Sequence, residues 1–230
     1  MGCLASHFEN DADYFLDKIY STFPLSKYTF EKLEDFFEKN LSDFSNADQF
    51  SFLFKKKFNK DFDKSEMKNY QYLIIDYLIS KLKPSAQNYD YFKYNFLLFS
   101  FPFINHNSIR EELVNNFKEI FIYLCDFKKS QIDIVKQMQN ILYNYFYFVL
   151  FEIPEVIVNY ITEVKNDDMK YSNFLINKLN FFYRKKIDDE VNRIINNFFT
   201  NMKKKNLSDS LSSCFGNMHM HYFEIQRFFN

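Results

Sequence analysis

The chain has 230 residues, long enough for one large domain to bury about 70% of its unfolded surface without disulfide or metal staples. Its 29 Lys and Arg against 30 Asp and Glu give a formal charge of -1, which excludes the basic excess of an extended nucleic-acid surface. Three scattered cysteines (Cys3, Cys125, Cys214) argue against a disulfide framework, and only 2 Gly argue against Gly-rich phosphate loops and dinucleotide-binding crossings.

Apolar residues recur at three- and four-residue spacing and mark about ten helices, an all-α multi-helix bundle. "DYFLDKIYSTF" places Phe15, Ile19 and Phe23 on one face. "SKYTFEKLEDFFEKNL" aligns Phe30, Leu33, Phe36 and Phe37, with Ser26 as candidate N-cap. "NADQFSFLFKKKF" follows, then "SEMKNYQYLIIDYLISKL", which stops before Pro84, and "NYDYFKYNFLLFSF", which stops at Pro102. The second half holds "NSIREELVNNFKEIFIYLCDF", "SQIDIVKQMQNILYNYFYFVLF", "PEVIVNYITEV", "MKYSNFLINKLNFFYRK" and "DDEVNRIINNFFTNMKKK". The Ser-rich "NLSDSLSSCFGN" reads as an internal loop ahead of a final aromatic stretch, and "KPSAQN" marks a sub-boundary near 84–88. The organisation expected is an acylated segment over 1–10 and one helical domain over 11–230.

The two most apolar runs, Gln137–Phe151 and Tyr94–Ile109, fall short of the roughly 20 residues of a membrane span and read as core helices. Glu152, Pro154 and Glu155 close the first. An AT-rich genome would produce the large content of Phe (32) and Tyr (17) without Trp, a mutational reading that stands beside a functional one, and these rings also supply core. The pairs Asp167 with Asp168 and Asp188 with Asp189 read as helix starts, and the lysine runs 55–57 and 203–205 as helix ends, each sign complementing the macrodipole.

Catalytic patterns are missing. There is no phosphate loop, CxxC pair, HExxH or serine nucleophile elbow, and His219, His221 and Cys214 together lack a fourth zinc ligand. No enzyme, cofactor, metal or small-molecule substrate is expected. The N-terminal Met-Gly-Cys-Leu-Ala-Ser does match the N-myristoylation pattern at Gly2, with Ser6 at the favoured position. One myristoyl chain binds membranes only marginally, and the acidic residues that follow exclude a polybasic patch, so Cys3 palmitoylation supplies the second signal. The C-terminal Tyr222, Phe223, Ile225, Arg227, Phe228 and Phe229 put apolar groups on more than one side of any helix, a candidate partner contact.

"FKKKFNKDFDKSEMKNYQYLIIDYL" and "NNFKEIFIYLCDFKKSQIDIVKQMQNIL" each join two helices through a short Asn/Asp segment and resemble EF-hands that have lost their calcium loops. The run "FLLFSF" followed by "SIREELVNNFKEIFIYLCD" is similar to the linker and third hand of calcineurin B and the neuronal calcium sensors, many of which are myristoylated. The resemblance implies a fold of paired degenerate EF-hands over about 45–150. The loops lack calcium ligation: Asn59, Asp61 and Asp63 are followed by Lys64 where the turn glycine belongs and by Tyr70 at position 12. Asp126 and Ser130 are accompanied by Lys128 at position 3 and Gln137 at position 12.

Together these readings give a non-enzymatic, lipid-anchored adaptor that holds a protein partner on a cytoplasmic membrane face. The alternative is a non-lipidated structural subunit of a large ciliary or mitochondrial assembly.

Overall fold

The computed structural model describes Tyr20 and Met218, residues 23–40, 46–58, 67–104, 110–157, 159 and 169–216. These residues form helices and turns and no strand. A short 3₁₀ turn, Pro24–Lys27, leads into eight α-helices: α1 Phe30–Lys39, α2 Ala47–Phe58, α3 Met67–Leu82, α4 Tyr89–Ser100, α5 Arg110–Leu124, α6 Gln131–Tyr147, α7 Met169–Met202 and α8 Leu207–Phe215. None of them is long and apolar enough to cross a membrane.

The expected count of ten becomes eight among the described residues, for reasons that lie in particular segments. "MKYSNFLINKLNFFYRK" and "DDEVNRIINNFFTNMKKK" are one helix, α7, of 34 residues. Nothing breaks it, since neither Gly nor Pro occurs between Met169 and Met202. Asp188 and Asp189 therefore sit inside a helix rather than at its start, and Asp188 instead hydrogen-bonds the Tyr143 hydroxyl from α6. The Ser-rich segment expected as a loop is helix α8. Asn206 caps it by accepting from the Asp209 N–H at 2.8 Å, and Leu211, Cys214 and Phe215 bury its inner face. Ser26 is not the cap of α1. It lies in the 3₁₀ turn, and Thr29 occupies the cap position without a side-chain bond.

Aromatic rings build the core from residues that share helix faces. In α1 the buried residues are Phe30, Leu33, Phe36 and Phe37, and in α2 they are Phe50, Phe54 and Phe58, each set at helical spacing. Phe50 lies at the centre of this half. Its ring centroid is 4.7 Å from Phe92, 5.4 Å from Phe96, 5.8 Å from Phe37 and 5.7 Å from Phe54. Edge-on and tilted contacts of this kind are the favoured geometry for π systems. Phe30 on Phe101 and Phe101 on Phe117 carry the core into the second half, where Phe215 of α8 packs on Phe117 and Phe121 of α5. Buried residues from both halves form one continuous cluster.

Glu152, Pro154 and Glu155 do not close the α6 run. The helix widens into a π turn over Phe148–Glu152 and remains helical through residue 157. Pro154 is the physical cause. It has no N–H for a carbonyl one turn back, and its ring crowds the helix interior. The chain answers with a wider turn in which the Ile153 N–H reaches the Phe148 carbonyl five residues back. In a π turn the donor for the Val149 carbonyl would be residue 154, which is proline. The Tyr20 hydroxyl donates to that carbonyl instead, at 3.5 Å. On the other side Glu152 accepts from Lys81 Nζ at 2.6 and 2.7 Å and from the Tyr77 hydroxyl at 3.0 Å, fastening α3 to the turn. Burial and the Glu152 carboxylate raise the Tyr77 phenol above its ordinary range, so it stays a donor.

Candidate functional surface on α1, α4 and α5

Helix α4 turns Phe92, Phe96 and Phe99 inward, which leaves Tyr91 and Tyr94, three residues apart, on another face. Helix α5 likewise buries Val114, Phe117, Ile120 and Phe121 and leaves Glu119, Ile122 and Tyr123 outside. The two helices pack side by side, and there the Tyr94 and Tyr123 rings stack at 3.9 Å and 21°. Tyr91 is 58% exposed and Tyr123 46%, so the stack belongs to an aromatic surface presented to solvent.

Helix α1 borders the tyrosines with a stripe of Glu31, Glu34 and Glu38, spaced by three and four residues. Lys93 of α4 reaches into this border. It is mostly covered, lies 3.9 Å from Glu38 Oε1 and sits 5.6 Å above the Tyr94 ring. Glu34 is held above the usual carboxylate range. Burial is the main cause, and Glu119, Glu38 and Glu31 add repulsion that Lys93 opposes. Tyr94 is raised by burial and then by Glu34, Tyr123, Asp90 and Glu119, so aromatic and acidic groups share one electrostatic neighbourhood.

An open hollow of about 390 Å³ lies on the outer side of α2, lined by Asp48, Ser51, Phe52, Lys55 and Lys56. Its central cation is already engaged, with Lys55 Nζ 2.5 Å from Asp76 and 5.1 Å over Tyr72. Cys125 and Cys214 are free and buried. Among the described residues no group of three or more His, Cys, Asp and Glu is placed to hold a metal ion.

Gly2, Cys3, Asn59, Asp61, Asp63, Tyr222, Phe223, Ile225, Arg227, Phe228 and Phe229, picked out from the sequence, lie outside the described residues. Asp126 and Ser130 lie in the turn between α5 and α6, where each has a helix-terminating task. Asp126 Oδ1 accepts from the Lys128 N–H at 3.1 Å, while its own N–H donates to Gln137 Oε1 at 2.7 Å. Ser130 caps α6, accepting from the Asp133 N–H at 3.3 Å and donating to Asp133 Oδ2 at 2.7 Å. Counted from Asp126, α6 begins at the sixth position, so the oxygens an EF loop would gather at positions 7, 9 and 12 are spent on or within a helix.

The tyrosine surface and its glutamate stripe were not singled out from sequence. The signal was present as Tyr91 and Tyr94 spaced like a second face beside Phe92 and Phe96, and as Glu31, Glu34 and Glu38 opposite the buried phenylalanines of α1. Comparison with protein-family models, curated proteins and solved structures finds no match to this chain.

Proposed function

We propose that the chain is a non-enzymatic, lipid-anchored helical adaptor, without working calcium sites, that holds a protein partner on a cytoplasmic membrane face. The observation that carries the partner half is the solvent-facing tyrosine stack of α4 and α5, with the exposed Tyr91 one turn before Tyr94. Tyrosine gives a large, rigid contact area with few rotamers to fix, and aromatic residues dominate interface energetics. In this reading Gly2 and Cys3 carry the acyl chains, and the C-terminal aromatic stretch from Tyr222 to Phe229 adds to the partner contact. The α5–turn–α6 pair keeps the helix order of an EF-hand but replaces its loop with a capped turn, which supports a calcium-independent role.

The test of the anchor is intact mass together with membrane fractionation of the protein from its own cells. Acyl mass on Gly2 and Cys3, loss of membrane association in Gly2→Ala and weak, reversible association in Cys3→Ser are expected. Retained Met1 with no added mass, and unchanged fractionation of Gly2→Ala, would overturn the anchor and favour the structural-subunit alternative. The partner half is tested by a photo-crosslinking residue in place of Tyr123, which should join the chain to a protein in those cells.

A further inference from the structure

The tyrosine surface carries more negative charge than its own lysine neutralises. Glu31, Glu34 and Glu38 line one side, while Asp90 and Glu119 act on the stacked tyrosines from α4 and α5. Lys93 answers them from within the border. The carboxylates therefore form a half-ring around an apolar platform, with Glu34 already partly desolvated and facing three like charges.

This arrangement discriminates among occupants. An anionic membrane or a nucleic acid is repelled by its sign. A neutral helix would cover the tyrosines but would desolvate Glu34 further without any counter-charge, a cost that works against docking. A lysine or arginine suits both parts at once: its methylene stem lies along a tyrosine ring while its charged head reaches a carboxylate. An amphipathic helix offers such side chains at three- and four-residue spacing, beside an apolar stripe that matches the exposed rings.

We infer that the α1/α4/α5 face is the docking surface for a basic amphipathic helix of a partner protein, its apolar stripe on Tyr91, Tyr94 and Tyr123 and its cations against Glu34 and Glu119. This rests on the adaptor reading and names the chemistry of the partner. It differs from that reading in specifying sign: an adaptor could hold a neutral or acidic segment, and this face does not.

The test uses the full chain and two synthetic helices of about 18 residues, long enough to hold their structure. One has a leucine stripe flanked by lysines, and the other has every lysine replaced by glutamate. Fluorescence anisotropy is expected to show binding of the lysine helix that weakens as salt is raised and no binding of the glutamate helix. The double variant Glu34→Gln, Glu119→Gln should weaken the lysine helix about tenfold, and Tyr123→Ala by a similar factor, with each variant melting close to the parent chain. The inference is overturned if the two helices bind equally, if neither binds, or if the double variant binds the lysine helix as well as the parent does. Crosslinking from position 123 separates this failure from failure of the adaptor reading. A contact segment carrying Lys or Arg at helical spacing supports the inference. A contact segment that is neutral or acidic overturns it and leaves the adaptor standing, while no crosslink to any protein overturns both.

Discussion

Replacing Phe50 by alanine removes the ring around which the first half of the core is arranged. Phe50 is 0% exposed and touches rings from α1, its own helix and α4, so no solvent or mobile side chain is on hand to fill the space it leaves. Phe-to-Ala changes at such sites cost about 3–5 kcal/mol, the sum of lost transfer energy and of a cavity the neighbours close only partly. With Phe36, Phe37, Phe54, Phe92 and Phe96 around it and held by helices, relaxation is limited and the upper part of that range applies, about 4–5 kcal/mol. For a chain of this size each kcal/mol moves the melting temperature by about 2–4 °C, so a fall of roughly 10 °C or more is expected. Phe52, two residues on along the same helix, is 65% exposed, and Phe52→Ala should shift the melting temperature by no more than about 2 °C. Circular dichroism melts of the two variants beside the parent chain make the comparison. Near-equal melting temperatures for Phe50→Ala and Phe52→Ala would refute the assignment of faces on α2, because the same chemical deletion would then be insensitive to burial.

Four other expectations are open to direct measurement. Ser130→Ala removes the side-chain cap of α6 and should destabilise the chain by about 1 kcal/mol in urea unfolding, an unchanged midpoint counting against the cap. Ser100→Ala should be neutral or slightly stabilising in the same assay, because the Ser100 hydroxyl is fully buried without a hydrogen-bond partner among the described residues, and a loss above about 1 kcal/mol would contradict that. Burial pushes the Cys125 thiol up to about 11 and Cys214 up to about 12, and it likewise raises Tyr89 and Tyr143 to about 12. These groups stay neutral in the fold while their unfolded counterparts ionise near pH 9 and 10, so their contribution is full below about pH 9 and is lost as pH rises toward 12. Melting temperature should fall over that window and the Cys125 and Cys214 thiols should resist iodoacetamide at pH 8 until the chain unfolds, whereas rapid alkylation of either one in the native chain, located by peptide mass, would show that it is not buried. Calcium at micromolar concentration should give neither heat in calorimetry nor a shift in melting temperature, since the turn from Asp126 becomes helix at its sixth position; binding in that range would overturn the description of this turn.

Helix faces were legible where large rings alternate with charges. Phe30, Leu33, Phe36 and Phe37 read as one face and are buried together, and α3 ends before Pro84 while α4 gives way at Ser100 to a 3₁₀ turn that holds Pro102. What was lost was continuity and polarity. Residues 207–215 have loop-like composition, yet Leu207, Leu211, Cys214 and Phe215 carry a helical period and Asn206 supplies the cap; composition outweighed period in the reading. Lys-Lys followed by Asp-Asp near position 187 looked like the end of one helix and the start of another, because both patterns complement a dipole. Inside α7 Lys185 and Asp189 are exposed, Lys186 lies 6.0 Å over the Tyr183 ring and Asp188 is paired with a tyrosine from α6. Glu190 escaped notice altogether. It is almost wholly buried in α7 and accepts two hydrogen bonds from the Arg193 guanidinium one turn on, at 2.6 and 2.5 Å. The α1/α4/α5 surface was hidden for a different reason: its tyrosines and glutamates come from three helices, and only their packing brings the stripes together.

The π turn at Phe148–Glu152 also bears on how the length of this helix can change. A turn closed by five-residue hydrogen bonds accommodates one residue more than an α-helix of the same rise. In regular α-helix the loss of a single residue would rotate everything beyond it by about 100° and turn a buried stripe toward water. Here the surplus is stored in one place, between the regular helix that ends at Tyr147 and the helix that resumes at Ile153. A relative shorter by one residue within this turn, and without proline at the position of Pro154, can close it as ordinary α-helix and still present its flanks to the same neighbours. Homologues of this chain can therefore differ in length at this point without an intervening loop, and a sequence alignment would place a gap inside a helix, where gaps are usually treated as errors.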